Sequence, residues 1–209
     1  MRPFRFALPK GRLSEEVIEL LHSAKICSLS EVPSGRELIF KEEDSSIEFI
    51  LVRAKDVGTY VEQGACDMGV MGRDLLLEHN FSVSVPLDLP LGECRLSVAY
   101  PQENANWKQK KNLRVATKYP RLATNYLFKL GFNVKIIELY GSIEIAPLTQ
   151  MSDIIVDLVS TGQTLKANNL TEDDVILHST AALILNSAAI HTQSERINEI
   201  IDKLTAKIL

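Results

Sequence analysis

Short β-forming runs alternate with amphipathic helical patterns along this chain, and that alternation restricts it to an α/β fold. "FRFAL" at 4–8 reads as a strand, and "LSEEVIELLHSA" after it puts Leu13, Val17, Leu20, Leu21 and Ala24 on one helical face. "ELIF" and "EFILV" predict a strand pair across the polar "KEEDSS" turn. "KDVGTYVEQG" predicts a short helix ended by Gly64, and "DMGVMG" a strand or tight turn leading into the helix "RDLLLEH".

A second set of elements follows the proline-containing stretch "VPLDLPLGE". "RLSVAY", "LRVAT", "NVKIIEL" and "DIIVDLV" predict strands, and "PRLATNYLFKLG" a helix with Pro120 near its start and Gly131 at its C′ position. "DVILHS" and "AALILN" come next, then a terminal amphipathic helix opened by Thr192 and Glu195 at capping-box spacing. Ile197, Ile200, Ile201, Leu204 and Ile208 line one face of that helix, which predicts packing on the first lobe. The simplest organisation is two α/β lobes, residues 1–92 plus 177–209 and residues 93–176, linked by two crossings. A ligand cleft is expected between them, because ligand sites favour inter-domain clefts and the carboxyl ends of parallel strands.

Charge and composition narrow the ligand. The net charge is −4, with 23 basic and 27 acidic residues, which argues against a nucleic-acid binder. Any anion must therefore meet a local cluster of donors. No stretch approaches the ~18 apolar residues of a membrane span. Cys27, Cys66 and Cys94 show no C-x-x-C spacing, so they indicate neither a disulfide framework nor a zinc site. The expectation is a reduced, cytoplasmic protein with small core cysteines.

The most informative stretch is "DIIVDLVSTGQTL" at 153–165. Residues i and i+4 of a strand share a face, so Asp153 and Asp157 are expected to point the same way. A carboxylate at a strand's end can accept hydrogen bonds from paired hydroxyls. The following loop offers backbone N–H groups and the hydroxyls of Ser160, Thr161 and Thr164, with Gly162 permitting a tight turn. Together these describe a site for a ribose 5-phosphate. The same residues also suit a plain strand-to-helix turn in which Asp157 caps the helix. The G-x-x-x-x-G-K-[ST] pattern is absent, which disfavours a nucleoside-triphosphate P-loop.

With "GSIEIAP" upstream and "LKANNL" downstream, this stretch resembles the phosphoribosyl-pyrophosphate motif of the ATP phosphoribosyltransferase family. "ALPKGRL", "LVRAKDVGTYVEQGACDMGVMGRDLL", "LGECRLSVA" and "RVATKYP" extend the resemblance in the family's order over most of the chain. The chain departs from the pattern at Gln150 and Ser152, where family members commonly carry Gly and Ala.

The resemblance implies a two-lobe, periplasmic-binding-protein-like (type II) α/β fold. It also implies joining of N1 of the ATP adenine to C1 of phosphoribosyl pyrophosphate, the first step of histidine biosynthesis. It assigns Glu144 and Asp157, supported by Asp153, to the ribose hydroxyls, and Ser160, Thr161, Gly162, Gln163 and Thr164 to the 5-phosphate. Lys10, Gly11, Arg12, Arg36, Arg53 and Arg73 would meet pyrophosphate or ATP, with substrate-bound Mg2+ bridging the oxygens. Gly69 and Gly72 would let adenine or phosphate approach the backbone. Ordinary readings remain open: solvated cations at Lys10 and Arg12, a surface ion pair at Arg53, and tight packing at the two glycines. His22, His79, His178 and His191 fall in no shared motif. A chain ending at Leu209 resembles the family's short form, whose catalytic subunit, expected as a homodimer, works within a hetero-oligomer with a partner resembling histidyl-tRNA synthetase. A solute-binding protein of the same two-lobe architecture is the alternative from another class.

Overall fold

The computed structural model describes residues 2–42 and 46–209, so residues 43–45, half of the expected "KEEDSS" turn, lie outside the described residues. The chain forms two compact units, one running to Gly92 and resuming at Thr180, the other spanning Glu93–Ser179. Both are mixed α/β.

The first unit contains β1 (Phe4–Pro9), α1 (Arg12–Ser23), β2 (Ile39–Lys41), β3 (Ile47–Val52), α2 (Ala54–Glu62), β4 (Met68–Gly72), α3 (Arg73–His79) and the start of β5 (Ser84–Pro101). Strand β1 pairs in parallel with β3 and β4, and β2 closes the edge antiparallel to β3. The two-residue period of β1 decides what covers each face. Phe4, Phe6 and Leu8 pack with Val17, Ile18 and Leu21 of α1, while Ala7 packs with Val57 and Val61 of α2. "DMGVMG" resolves as a strand, buried throughout except at its last residue.

The second unit continues with β6 (Asn112–Thr117), α4 (Pro120–Lys129), β7 (Asn133–Glu138), α5 (Ile145–Leu148), β8 (Ile154–Val159), α6 (Gln163–Ala167) and most of β9 (Leu170–Leu185). Strand β8 lies antiparallel to β5, with Asp157 opposite Ser97, and parallel to β6, which in turn pairs in parallel with β7. Pro120 opens α4, and Gly131 closes it with φ +86°. The end is a Schellman motif, with N–H donations from Gly131 to Phe128 O and from Phe132 to Leu127 O.

Both passages of the chain between the units run through long strands. "VPLDLPLGE" is part of the 18-residue strand β5, and the first passage, at Gly92–Glu93, falls within that strand. Leu87, Leu89 and Leu91 alternate with exposed Pro86, Asp88 and Pro90, so the leucines reach the core while the prolines face outward. Likewise "DVILHS" and "AALILN" join in β9, and the chain's second passage between the units, at Ser179–Thr180, falls within that strand.

The chain returns to the first unit through the end of β9, antiparallel to β4, then α7 (Ala189–Thr192) and α8 (Ser194–Ile208). Ile197, Ile200 and Leu204 of α8 are buried against the α1 face of the sheet, with Ile201 and Ile208 at the margin. The expected capping box does not form. Gln193 occupies the N-cap position with no side-chain cap, and the Thr192 hydroxyl instead donates to Ala188 O, 3.2 Å, inside α7. Among the described residues no helix is long and apolar enough to cross a membrane.

Candidate functional site

The second unit brings Asp157 and Glu144 together. Asp157 lies on β8 near its carboxyl end, and Glu144 precedes α5. Burial pushes the Asp157 carboxyl above the usual range, and the nearby charge of Glu144 adds to the effect. The Leu158 amide, donating to Asp157 Oδ1 at 2.8 Å, and the charge of Lys118 act in the opposite direction. Two carboxylates and a lysine therefore share the region at the carboxyl ends of β6 and β8. Among the described residues the Glu144 carboxylate accepts no hydrogen bond, so it can take a ligand's hydroxyl.

The loop after β8 is exposed at Ser160, Thr161, Gln163 and Thr164, and Gly162 takes a left-handed conformation, φ +75°, at the N-cap of α6. A Cβ at Gly162 would touch only Val159, at 3.8 Å, so backbone strain and not crowding selects glycine there. The Gln163 amide makes a long 3.4 Å contact with Thr161 Oγ1, and the amides of Thr161 and Gly162 donate to nothing among the described residues. The alternative reading of Asp157 as cap of α6 does not hold, since among the described residues no side chain caps this helix. Outward-facing hydroxyls and unclaimed N–H groups suit an anion.

Asp153 does not belong to this group. It precedes β8, so on the strand rise it stands about 13 Å from Asp157, at the other end of the strand. Its carboxylate is already occupied by Lys110 Nζ at 3.0 Å, Arg114 Nη2 at 3.1 Å, and the Arg114 amide and Nε at 2.8 and 3.3 Å. Burial alone would raise its pKa, but these donors outweigh it and hold the carboxyl down at about 2. Asp153 is a structural anchor, and sharing a strand face with Asp157 said nothing about which end of the strand it occupied.

In the first unit, Lys10, Gly11, Arg12 and Arg36 line one cavity of about 670 Å³, together with Ser34 and Gly35. Gly11, φ +109°, is the N-cap of the 12-residue helix α1 and has no side chain to cap it. The Lys10 amide donates to Val52 O at 2.7 Å, which extends the β1–β3 pairing and fixes the turn. Arg12 pairs with Glu16 on its own helix at 2.7 Å, whereas Lys10, Arg36 and Arg53 form no ion pair among the described residues. Arg53 stands at the N-cap of α2, two residues beyond the lining residue Leu51. An uncapped helix start with unpaired cations suits a polyanion.

Three residues expected here have other roles. Arg73 Nη1 pairs with Asp88 at 2.8 Å beside a different groove. A Cβ at Gly69 would lie about 3.0 Å from Ala7 O and Val61 Cγ2, so that glycine allows β4 to pack against β1 and α2. A Cβ at Gly72 would collide with the Asp74 carboxylate folded over it. Both glycines serve packing. Burial pushes the Cys66 thiol up to about 12 and the Cys27 thiol to about 11, which leaves them inert core groups.

Sequence reading missed Lys118, although "RVATKYP" places it at the carboxyl end of a parallel strand, where ligands gather. It also missed Arg95, whose Nη1 donates to Ser160 O at 3.1 Å, because nothing local announces that contact.

Exposed hydroxyls and unclaimed amides beside two carboxylates, in a mixed α/β chain, suit the broad class of sugar-phosphate and nucleotide ligands. The comparisons are more specific. Residues 53–206 match the HisG family model, described as ATP phosphoribosyltransferase. An ATP phosphoribosyltransferase of Leptospira biflexa is 46% identical over 200 residues, covering 95% of this chain and 97% of that protein. One from Geobacter metallireducens is 44% identical, with 95% of each chain covered. The chain belongs to the ATP phosphoribosyltransferase family. Among solved structures, the ATP phosphoribosyl transferase (HisG:HisZ) complex from Thermotoga maritima matches with TM-score 0.82 and 34% identity, over 98% of both chains. Tv2483 bound to L-arginine, at 12% identity and TM-score 0.60 over 97% of this chain and 85% of that one, shares the fold alone.

Proposed function

We propose that this chain condenses ATP, through adenine N1, with phosphoribosyl pyrophosphate to give N1-(5-phosphoribosyl)-ATP and pyrophosphate, the first step of histidine biosynthesis. The observation that carries the reading to particular residues is the grouping of Asp157, Glu144 and the unclaimed amides of Thr161 and Gly162 in one unit of a family member. The reaction needs no enzyme nucleophile. It needs two substrates in line and a stabilised positive charge developing at C1 of the ribose. Asp157 and Glu144 accept the ribose hydroxyls and place negative charge near that carbon. Ser160, Thr161, Gly162, Gln163 and Thr164 take the 5-phosphate. Lys10, Gly11, Arg12, Arg36 and Arg53 receive polyphosphate at the uncapped start of α1 and beside it.

Magnesium enters in this reading as part of the substrate, on the pyrophosphate oxygens. The type II periplasmic-binding-protein-like version of the fold is our reading too, supported by the two passages of the chain between its units and by the TM-score of 0.60 to an arginine-bound protein. We also infer a homodimeric catalytic subunit, completed by a regulatory partner resembling histidyl-tRNA synthetase. The match over 98% of both chains to a HisG:HisZ complex supports this. A cytoplasmic setting is supported by Cys27, Cys66 and Cys94 standing as thiols.

The test is to incubate the protein with ATP, phosphoribosyl pyrophosphate and magnesium, and to follow pyrophosphate release and a new absorbing nucleotide. Release that stops when either substrate is withheld is the expected result; release without ATP would overturn the reading. Histidine added to the chain alone should leave the rate unchanged, and should inhibit once the partner is present, because feedback needs a second, coupled site.

A further inference from the structure

We propose that Arg95 is a positioning residue that presets the phosphate-holding loop, an inference that rests on the assignment of that loop to the 5-phosphate. Arg95 lies on β5 opposite Val159, the last residue of β8 before the loop. Its Nε and Nη2 donate to the two carboxylate oxygens of Glu172 on β9, at 2.5 and 2.6 Å. Ser97, two residues along β5, donates its hydroxyl to Glu172 Oε1 at 2.8 Å, so the carboxylate is held from two points. A bidentate fork fixes the plane of the guanidinium as well as its position. Its third arm, Nη1, thereby has a set direction, and it meets the carbonyl of Ser160 at 3.1 Å.

That carbonyl belongs to the first peptide of the loop. In a trans peptide the C=O and the following N–H point in opposite directions. Holding Ser160 O toward Arg95 therefore turns the Thr161 N–H to the other side, where it donates to nothing among the described residues. Arg95 makes no contact with a substrate in this account; it selects one of two orientations of a peptide that would otherwise flip. Preorganised amides hold an anion without first being reordered, so the clamp raises affinity for the phosphate end of one substrate only.

Only the full geometry does this. Lysine at position 95 keeps the charge but cannot span both Glu172 oxygens and the carbonyl. Glutamine at position 172 keeps the shape but loses the charged fork. Arg95→Lys and Glu172→Gln in the 209-residue chain should each raise the KM for phosphoribosyl pyrophosphate about tenfold, the loss of roughly one charge-assisted hydrogen bond. The KM for ATP and the melting temperature should stay near those of the parent. The double variant should be no worse than the poorer single one, because both substitutions break one device. A purely structural pair would instead lower the melting temperature and move both KM values together. Unchanged use of phosphoribosyl pyrophosphate by both folded variants, beside an active parent, overturns the clamp and leaves the proposed function standing. A parent that does not bind phosphoribosyl pyrophosphate in calorimetry overturns both.

Discussion

Replacing Gln150 by glycine and Ser152 by alanine should make the protein more stable, although neither residue touches the proposed site. Gln150 sits at the C′ position of α5 with φ +60°. The turn is a second Schellman motif, with N–H donations from Gln150 to Pro147 O at 3.0 Å and from Met151 to Ala146 O at 2.9 Å. The same motif ends α4 with Gly131, so one unit contains both the relaxed and the strained version. Left-handed backbone costs an L residue about 1–2 kcal/mol. Glycine removes that strain but adds about 0.5–1 kcal/mol of backbone entropy loss on folding, which leaves a gain of the order of 0.5–1 kcal/mol. Two residues on, the Ser152 hydroxyl is buried with no hydrogen-bond partner among the described residues. Such a group costs about 1–3 kcal/mol, which alanine avoids. The double variant should thus gain roughly 2 kcal/mol and melt about 4–8 °C higher. Scanning calorimetry and urea unfolding measure this, with Gln150→Ala as control because alanine shares the strain of a Cβ. The reasoning fails if Gln150→Ala stabilises as much as Gln150→Gly, or if Ser152→Ala is less stable than the parent. Both positions fall on this one turn, and the turn forms with Gln150 and Ser152 in place.

Asp157→Asn should lower kcat/KM for phosphoribosyl pyrophosphate roughly tenfold to a hundredfold, with the fold intact by circular dichroism. Because the Asp157 pKa is raised, the KM should climb already at mildly acidic pH, above the ordinary carboxylate range, as the acceptor is protonated; a flat acid limb would remove Asp157 from the site. Gly162→Val should weaken phosphoribosyl pyrophosphate binding more than Gln163→Ala, since φ +75° disfavours a β-branched residue; equal titration curves would make the loop only a turn. Asp153 lies well below its usual pKa of 3.8, at about 2, so its contribution is present above pH 3.8 and is lost as pH falls toward 2. That contribution is about 2 kcal/mol. Asp153→Asn should be less stable than the parent at pH 6, with the gap closing in acid; a gap independent of pH would contradict the ion-pair account.

Much of the candidate site was legible because its signals are local. Strand, glycine turn and hydroxyl cluster follow one another within 153–165, and parallel strands deliver such loops to their carboxyl ends. The α/β class, the face of α8 that packs inward and the glycine ending α4 were equally readable, since each depends on a period of 2 or 3.6 or on one residue's backbone freedom. The long strands were not. Two prolines and an HST break outweighed the period-2 leucines of β5 and the apolar halves of β9.

What only the tertiary structure decided is which charges are already committed. Asp153 and Asp157 look alike as sequence, yet Lys110 and Arg114 saturate one while burial beside Glu144 leaves the other poised. Arg73 reads as one more cation until Asp88 meets it, and Arg95 gains a role only through Glu172, 77 residues away. Periodicity is set by the backbone and survives in one dimension. Pairing of charges and the direction of a hydrogen bond depend on distances between remote segments, which exist only once the chain has folded.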